Sequence, residues 1–394
     1  MDRRAIQAAG YIDLSGEEID LHEGEVLLID GDRIEGFVPS DQVPDDVEVE
    51  DHSREFCLPG LVDTAFMPGI MCGEDCAAPD GYGEMVWNSL RAAGSWLETG
   101  VTTAGTLGAA DRHDLDLHSY IQMGRTSGPR LVPALSPLVP LGAGKFSFPY
   151  GVREVSGPRE ARKAARQLIK NGAERITVYA DVPLRFQASP EETSRERFAF
   201  SEGELRELVV QAEQAGCFVH AQAISTQAIE NCVRAGVRSI GCAYGLTEEQ
   251  LPLLRDHGVA LAPNLALGAT VVEVGPEAGL SGETIQMVSQ QRIPADLLLK
   301  AYQEGVELIC GTNAAFLDGT VFRECELLLE AGLPLKAVLK AATLTAAETL
   351  KPYCEWGALK PDYYADLLFL EGNPLESLQF LQDPVEVQVA GTTS

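Results

Sequence analysis

Hydrophobic and polar positions alternate with a period near two through GEVLLIDGDRIEGFV and DVEVEDHSREFCLPG, with Gly, Asp and Pro between the runs. Alternation bounded by turn residues predicts short strands with one buried face, so residues 1–57 read as a small β unit. After that the period changes. Short apolar runs at Leu58–Phe66, Val101–Thr106, Leu131–Leu135, Ile176–Tyr179, Cys217–Gln222, Val237–Cys242, Val259–Pro263 and Glu307–Thr312 are separated by longer stretches. In those stretches, such as PREARKAARQLIKNG and EGELRELVVQAEQAG, apolar residues recur every three or four positions, the helical spacing. Strands alternating with helices in this way predict an α/β chain folded as a (β/α)8 TIM barrel over residues 58–356. The tail, WGALKPDYYADLLFLEGNPLESL and then VEVQVAG, returns to β-type patterning. Neither end holds enough strands to bury a face alone, so residues 1–57 and 357–394 are expected to form one discontinuous β-sandwich domain.

Composition narrows the partners. The 394 residues carry a net charge of −29 with 45% hydrophobic and 23% charged positions, ordinary for a globular chain except in its sign. A polyanion of this size repels nucleic acid and anionic membrane surfaces, so neither is expected as a partner. No apolar run is long enough to span a bilayer, and MDRR is not followed by a signal-like segment, which points to the cytoplasm. The nine cysteines fall in strands and helices without a paired framework, so most are expected to be reduced and buried. Many carboxylates with few lysines are compatible with a salt-adapted host.

LPGLVDT at residues 58–64 resembles the first barrel strand of the amidohydrolase superfamily. GVTT at 100–103, SGPRLVPA at 127–134, FVHAQA at 218–223, VRSIGCAYG at 237–245 and LICGTNAA at 308–315 resemble further strands of its imidazolonepropionase and prolidase-like branch. ELLLEAGLPLKAVLKAATLTAAETL and GALKPDYYADLLFLEGNPLESL extend the likeness towards the C-terminus. The resemblance implies a hydrolase acting on C–N bonds with a dinuclear metal centre, but the residues at its ligand positions differ. The two first-strand histidines of the family match Ala65 and Met67, the carboxylated fourth-strand lysine matches Thr177, and the sixth-strand histidine matches Cys242. The eighth-strand aspartate matches Asn313, whose amide cannot act as a base, and only His220 on the fifth strand survives. Methyl and thioether groups do not replace imidazole on Zn, Mn or Fe, so no metal and no other cofactor is expected.

Strand ends of a barrel converge, which brings His220, Cys242 and Asn313 towards one place and invites a Cys-His-Asn reading. In it, imidazolium beside Cys242 stabilises a thiolate nucleophile. The plainer reading is a buried thiol, a satisfied imidazole and an amide left as scaffold. Ligand contacts are expected from Thr177, Met67, Tyr179 and Asp181, although Asp181 equally suits a loop cap, and from Lys145 in GAGK. Cys72 and Cys76 have a CxxxC spacing with no second pair, a weak metal signal. His113 and His118 read as a solvated helix face. Long loops carrying Phe146, Phe148, Tyr150, Phe186 and Phe198 suit a mostly apolar pocket. Three functions stay open: a metal-independent hydrolase of a small amide, cyclic amide or related carbonyl compound; a catalytically silent homologue binding a small ligand or an active partner subunit; and a conventional metal-dependent C–N hydrolase. A homo- or hetero-oligomer is compatible with each.

Overall fold

A computed structural model describes residues 3–16, 19–68, 82–109, 112–143, 151–181, 199–276, 281–313, 320–390 and 392–393. Strands β1 (Arg3–Asp13), β2 (Asp20–His22), β3 (Glu25–Asp30), β4 (Arg33–Pro39) and β5 (Glu48–Pro59) come first. After them come β6 (Leu61–Phe66), β7 (Val101–Thr106), β8 (Arg130–Val132), β9 (Leu138–Pro140), β10 (Arg153–Val155) and β11 (Arg175–Tyr179). The remaining strands are β12 (Phe218–Ala223), β13 (Ser239–Cys242), β14 (Ala260–Ala262), β15 (Leu367–Leu370), β16 (Glu386–Val389) and β17 (Thr392–Thr393).

Strands from both ends of the chain share one mixed sheet in the order β17-β16-β15-β5-β1-β3-β4, with β2 on β1. The join is β15 running antiparallel to β5, Leu367 opposite Pro59. One face packs Ile6, Tyr11, Leu27, Ile29, Leu367 and Phe369 together. The Tyr11 hydroxyl donates to the Ile6 carbonyl and accepts from Ala8 N (3.0 Å), tying down the irregular pairing near Gly10. β5 passes directly into β6 through Gly60, where an added Cβ would lie 2.1 Å from Thr102 Oγ1, so only glycine permits that approach.

The barrel is a ring of parallel segments. β6-β7-β8 form one run and β9-β11-β12-β13-β14 another, with β10 on the edge of β9. Pro133 O accepts from Glu174 N (2.8 Å) at one seam. The other is closed by residues 307–313, which form a single bridge, Leu261 to Leu308, rather than a full ladder. Leu261 N donates to Glu307 O, Thr64 N to Cys310 O and Asn313 N to Ala65 O, so this eighth segment lies between β14 and β6. Helix Gly157–Lys170 buries Ala161, Ala164, Ala165 and Leu168, and helix Glu202–Gln214, started by a Ser201–Glu204 capping box, buries Leu205, Leu208, Val209 and Ala212. Both stripes follow the i, i+3, i+4, i+7 spacing and cover the outward residues of the strands. Helix Leu344–Leu350 and Trp356 pack with Val62, Ala260 and Ile309, closing the barrel at the end where β6 and β14 begin. Among the described residues no helix is long and apolar enough to cross a membrane.

His113 and His118 depart from the expected solvated face. They are 5% and 8% exposed, and His113 hydrogen-bonds Ser89 Oγ (2.6 Å). Their helix, His113–Gln122, buries Asp114, whose carboxylate accepts from Thr106 Oγ1 (2.5 Å), Ala134 N (2.8 Å) and Leu135 N (3.0 Å). That polar anchor turns the histidine face inward, against the amphipathic pattern. The cysteines in the described segments, from Cys57 to Cys354, are free and buried.

Candidate functional site

Alternation along the strands decides which side chains enter the barrel. On β11 the outward Ile176 and Val178 join the helix-packed core, leaving Arg175, Thr177 and Tyr179 facing in. On β12 Val219, Ala221 and Ala223 face out, so His220 and Gln222 face in. Pairing sets Thr177 beside His220, and Tyr179 beside Gln222. Ser239 of β13 stands opposite His220.

The His220 ring is held at both nitrogens. Nδ1 meets Ser239 Oγ at 2.8 Å and Nε2 meets Gln222 Nε2 at 3.1 Å. Since the amide nitrogen can only donate, Nε2 is the acceptor and the proton resides on Nδ1, donating to Ser239. Burial first, and the Arg175 cation second, hold the imidazole well below its ordinary pKa, so it is neutral at physiological pH.

Cys242 enters the site by an unusual route. Ser239 and Gly241 share the inward parity of β13, which would send the next residue outward. At Cys242, however, φ is +65°, and Ala243 follows at +49°. The left-handed turn brings Sγ back to donate to Gln222 Oε1 (2.9 Å) and accept from Asn313 Nδ2 (3.3 Å). Asn313 is itself left-handed, with φ of +47°. Asn264 knits the same strand ends: Oδ1 accepts from Cys242 N (2.7 Å), and Nδ2 donates to Gly311 O.

The structure corrects the expected Cys-His geometry. Cys242 is opposite Ala223, not His220, so it stands three residues further along its strand. Gln222 lies between them, accepting from the thiol with one end of its amide and donating to the imidazole with the other. Burial pushes the Cys242 thiol up to about 12, against the smaller opposing effects of hydrogen bonds from Tyr244 and Asn313. No imidazolium is present to favour thiolate. The resting chain is Ser239–His220–Gln222–Cys242–Asn313, all neutral groups.

Of the remaining expected residues, Thr177 is fully buried and its hydroxyl makes a long contact to Thr106 O (3.4 Å). Tyr179 packs with Val139 and Ala143, its hydroxyl pushed up by burial. Met67 packs with Ala65 and Leu107, an apolar patch where the family resemblance implies ligand histidines. Asp181 accepts from Ile224 N (2.9 Å) and Ser225 N (2.8 Å), capping the loop after β12 rather than its own loop. Both its oxygens are thereby engaged in structure. Lys145, Cys72, Cys76 and the loop aromatics Phe146, Phe148, Tyr150, Phe186 and Phe198 lie outside the described residues.

Sequence reading missed several members of the site. Arg175 and Gln222 are each two positions from a residue it did select, and alternation alone points to both. Arg175, 3% exposed, donates from Nη1 to Thr64 O (2.8 Å); burial pulls its pKa down to about 10, so it stays cationic. Asp63 is fully buried and accepts from Ala65 N, Thr312 N, Trp96 Nε1 and Thr312 Oγ1 at 2.7–3.0 Å. Glu324 accepts from Leu265 N and Ala266 N at the start of helix Leu265–Val274, with its pKa raised by burial to about 8. Nothing local in the sequence marks Asp63 or Glu324 as buried. Among the described residues no three His, Cys, Asp or Glu side chains converge to hold a metal ion.

Comparison with known proteins adds a family. A model of the amidohydrolase family matches residues 84–393. Ochratoxinase from Aspergillus niger is 30% identical over 254 residues, 62% of this chain and 49% of that protein, so the chain spans about half the length of the curated relatives it matches. A Xaa-Pro dipeptidase structure with bound methionine superposes with a TM-score of 0.87 at 22% identity, covering 100% of this chain and 99% of the other. A prolidase complexed with N-methylphosphonate-L-proline gives 0.85 at 26% identity, with coverage of 100% and 99%. The first of these two likenesses bears on the fold alone, which is the barrel with a separate β domain.

Proposed function

Because the chain belongs to the amidohydrolase family, we propose that it is a member without the dinuclear metal centre, binding a small molecule in the barrel mouth rather than hydrolysing it by metal chemistry. In this reading residues 58–356 form the binding barrel, and residues 1–57 with 357–394 form the supporting β domain. The observation that carries it is the state of His220. The one imidazole at the family's ligand positions has both nitrogens committed, to Ser239 and Gln222.

The donor set supports the same conclusion. Ala65 and Met67 offer no nitrogen or anionic oxygen, Thr177 and Asn313 are neutral, and the Cys242 thiol resists ionisation. A guanidinium nearby further disfavours a second cation. The residues therefore do not fit the family's metal pair.

The test is elemental analysis of protein purified without chelators, joined to hydrolysis of Xaa-Pro dipeptides with and without added Zn²⁺ or Mn²⁺. We expect no stoichiometric transition metal and no metal-stimulated turnover. Two equivalents of metal per chain with metal-dependent cleavage would overturn the proposal. A metal-independent C–N hydrolase is the second reading, favoured by one contact, the Asn313 amide on Cys242 Sγ. It requires a thiolate that the surroundings of Cys242 oppose.

A further inference from the structure

Cys310 and Cys325 hold their sulfurs 3.7 Å apart, and both residues are fully buried. Cys310 lies in the eighth barrel segment and Cys325 on helix Thr320–Glu330. Both belong to the hydrophobic core that also takes in Val321, Phe322 and Leu328 of that helix. Each thiol has the other sulfur as its hydrogen-bond partner, and no other sulfur–sulfur contact occurs among the described cysteines. The bond to Cys325 first, and burial second, hold the Cys310 thiol well above its ordinary range, so it rests protonated. A thiol–thiol hydrogen bond is weak, and a disulfide, which carries no donor, suits an apolar interior at least as well.

The surroundings permit the sulfurs to close and give the closure a consequence. A disulfide needs them at about 2.05 Å. The eighth segment can share that movement with rotation of the two side chains, because a single bridge from Leu261 to Leu308 stands where its neighbours in the ring have ladders. Each cysteine adjoins residues of the barrel mouth. Gly311, next to Cys310, accepts from Asn264 Nδ2, and Asn313 further along the segment carries the amide on Cys242. Glu324, next to Cys325, accepts from Leu265 N and Ala266 N.

We propose that Cys310 and Cys325 are a redox-sensitive pair whose disulfide locks the eighth segment, and Asn313 with it, to helix Thr320–Glu330. The oxidant is a peroxide, small and uncharged enough to enter a buried site. One thiol, giving up its proton, attacks a peroxide oxygen; the O–O bond breaks, water leaves and a sulfenic acid remains. The second thiol attacks the sulfenic sulfur, the S–O bond breaks and a second water departs with its proton. Two thiols are thereby oxidised to one disulfide, and one peroxide is reduced to two waters. The lock acts whatever ligand the barrel takes.

The experiment treats the intact protein with hydrogen peroxide or with dithiothreitol, blocks the remaining thiols after unfolding, and maps peptides without reduction. A Cys310–Cys325 link that dithiothreitol reverses is expected, forming faster as pH rises. Closing a loop of about 15 residues should raise the melting temperature by about 3–6 °C over the reduced protein. Hydrogen exchange at the Thr312 and Asn313 amides, bonded to Asp63 and Ala65, should slow in the linked form. Cys310→Ser and Cys325→Ser should each abolish the link and the difference in melting temperature. If either variant fails to fold, the wild-type map and melting curves still decide. Cysteines left unlinked or oxidised singly, a link to another cysteine, or a link formed only in denaturant would overturn the proposal. So would a linked protein whose melting temperature and exchange equal those of the reduced form.

Discussion

Alkylation of Cys242 separates a reactive thiol from a structural one. At pH 7 a thiol with a pKa of about 12 has about a thousandfold less thiolate than one at the ordinary 9.0. A thiolate of higher pKa is intrinsically the stronger nucleophile, which returns about 15- to 30-fold over three pH units. The net effect is a rate at least about 30-fold below that of glutathione, before the 3% exposure of Cys242 slows access further. The assay is timed iodoacetamide labelling with mass spectrometry of the peptide bearing Cys242, because other buried cysteines contribute to any bulk signal. The rate should climb about tenfold per pH unit from 7 to 10. His220→Ala should change it little, since the ring is neutral and acts through Gln222. Asn313→Ala should slow it, since the lost amide N–H is one of the groups favouring thiolate. Labelling at or above the glutathione rate at pH 7, lost in His220→Ala, would refute the reasoning and restore an imidazolium–thiolate pair.

Three further outcomes follow from buried groups. Between about pH 4.5 and 8 the folded chain keeps a proton on Glu324 that the unfolded chain has released, so stability falls as pH rises through that window, by up to about 5 kcal/mol; Glu324→Gln should remove this component from urea midpoints measured at pH 5 and 8.5, and an unchanged pH slope would count against it. Asp63→Ala strands four donors and should cost at least about 3 kcal/mol in urea unfolding; a loss under 1 kcal/mol would mean water replaces the carboxylate. Gly105→Ala drives a methyl to 2.1 Å from Arg175 Nη1 and 2.2 Å from Leu350 Cδ2, and should lower stability by about 1–3 kcal/mol or more; a melting temperature equal to wild type would show that Arg175 is free to move aside.

Much of the fold was legible because it depends on periodicity, which is a property of consecutive residues. RITVY and FVHAQA alternate as strands must, and the Ala161–Leu168 stripe repeats as a packed helix must. The eighth strand was legible as an apolar run, although it makes a bridge rather than a ladder. Thr177 and His220, selected from the family resemblance, stand side by side on the inward positions of those strands.

What only the tertiary structure decided is everything that depends on a backbone leaving its period or on groups distant in sequence. Nothing in SIGCAYG announces that Cys242 turns left-handed, yet that single dihedral brings its thiol inward and three residues past His220. Gln222, chosen by no motif, becomes the link that separates thiol from imidazole. Protonation was equally hidden, because it is set by desolvation: the same His and Cys exposed to water would titrate near their ordinary values, and buried together they are both neutral. Sequence thus determines which groups of the regular strands face the barrel, whereas packing decides that Cys242 joins them and which of them carry charge, with Arg175 as the cation that acts on His220.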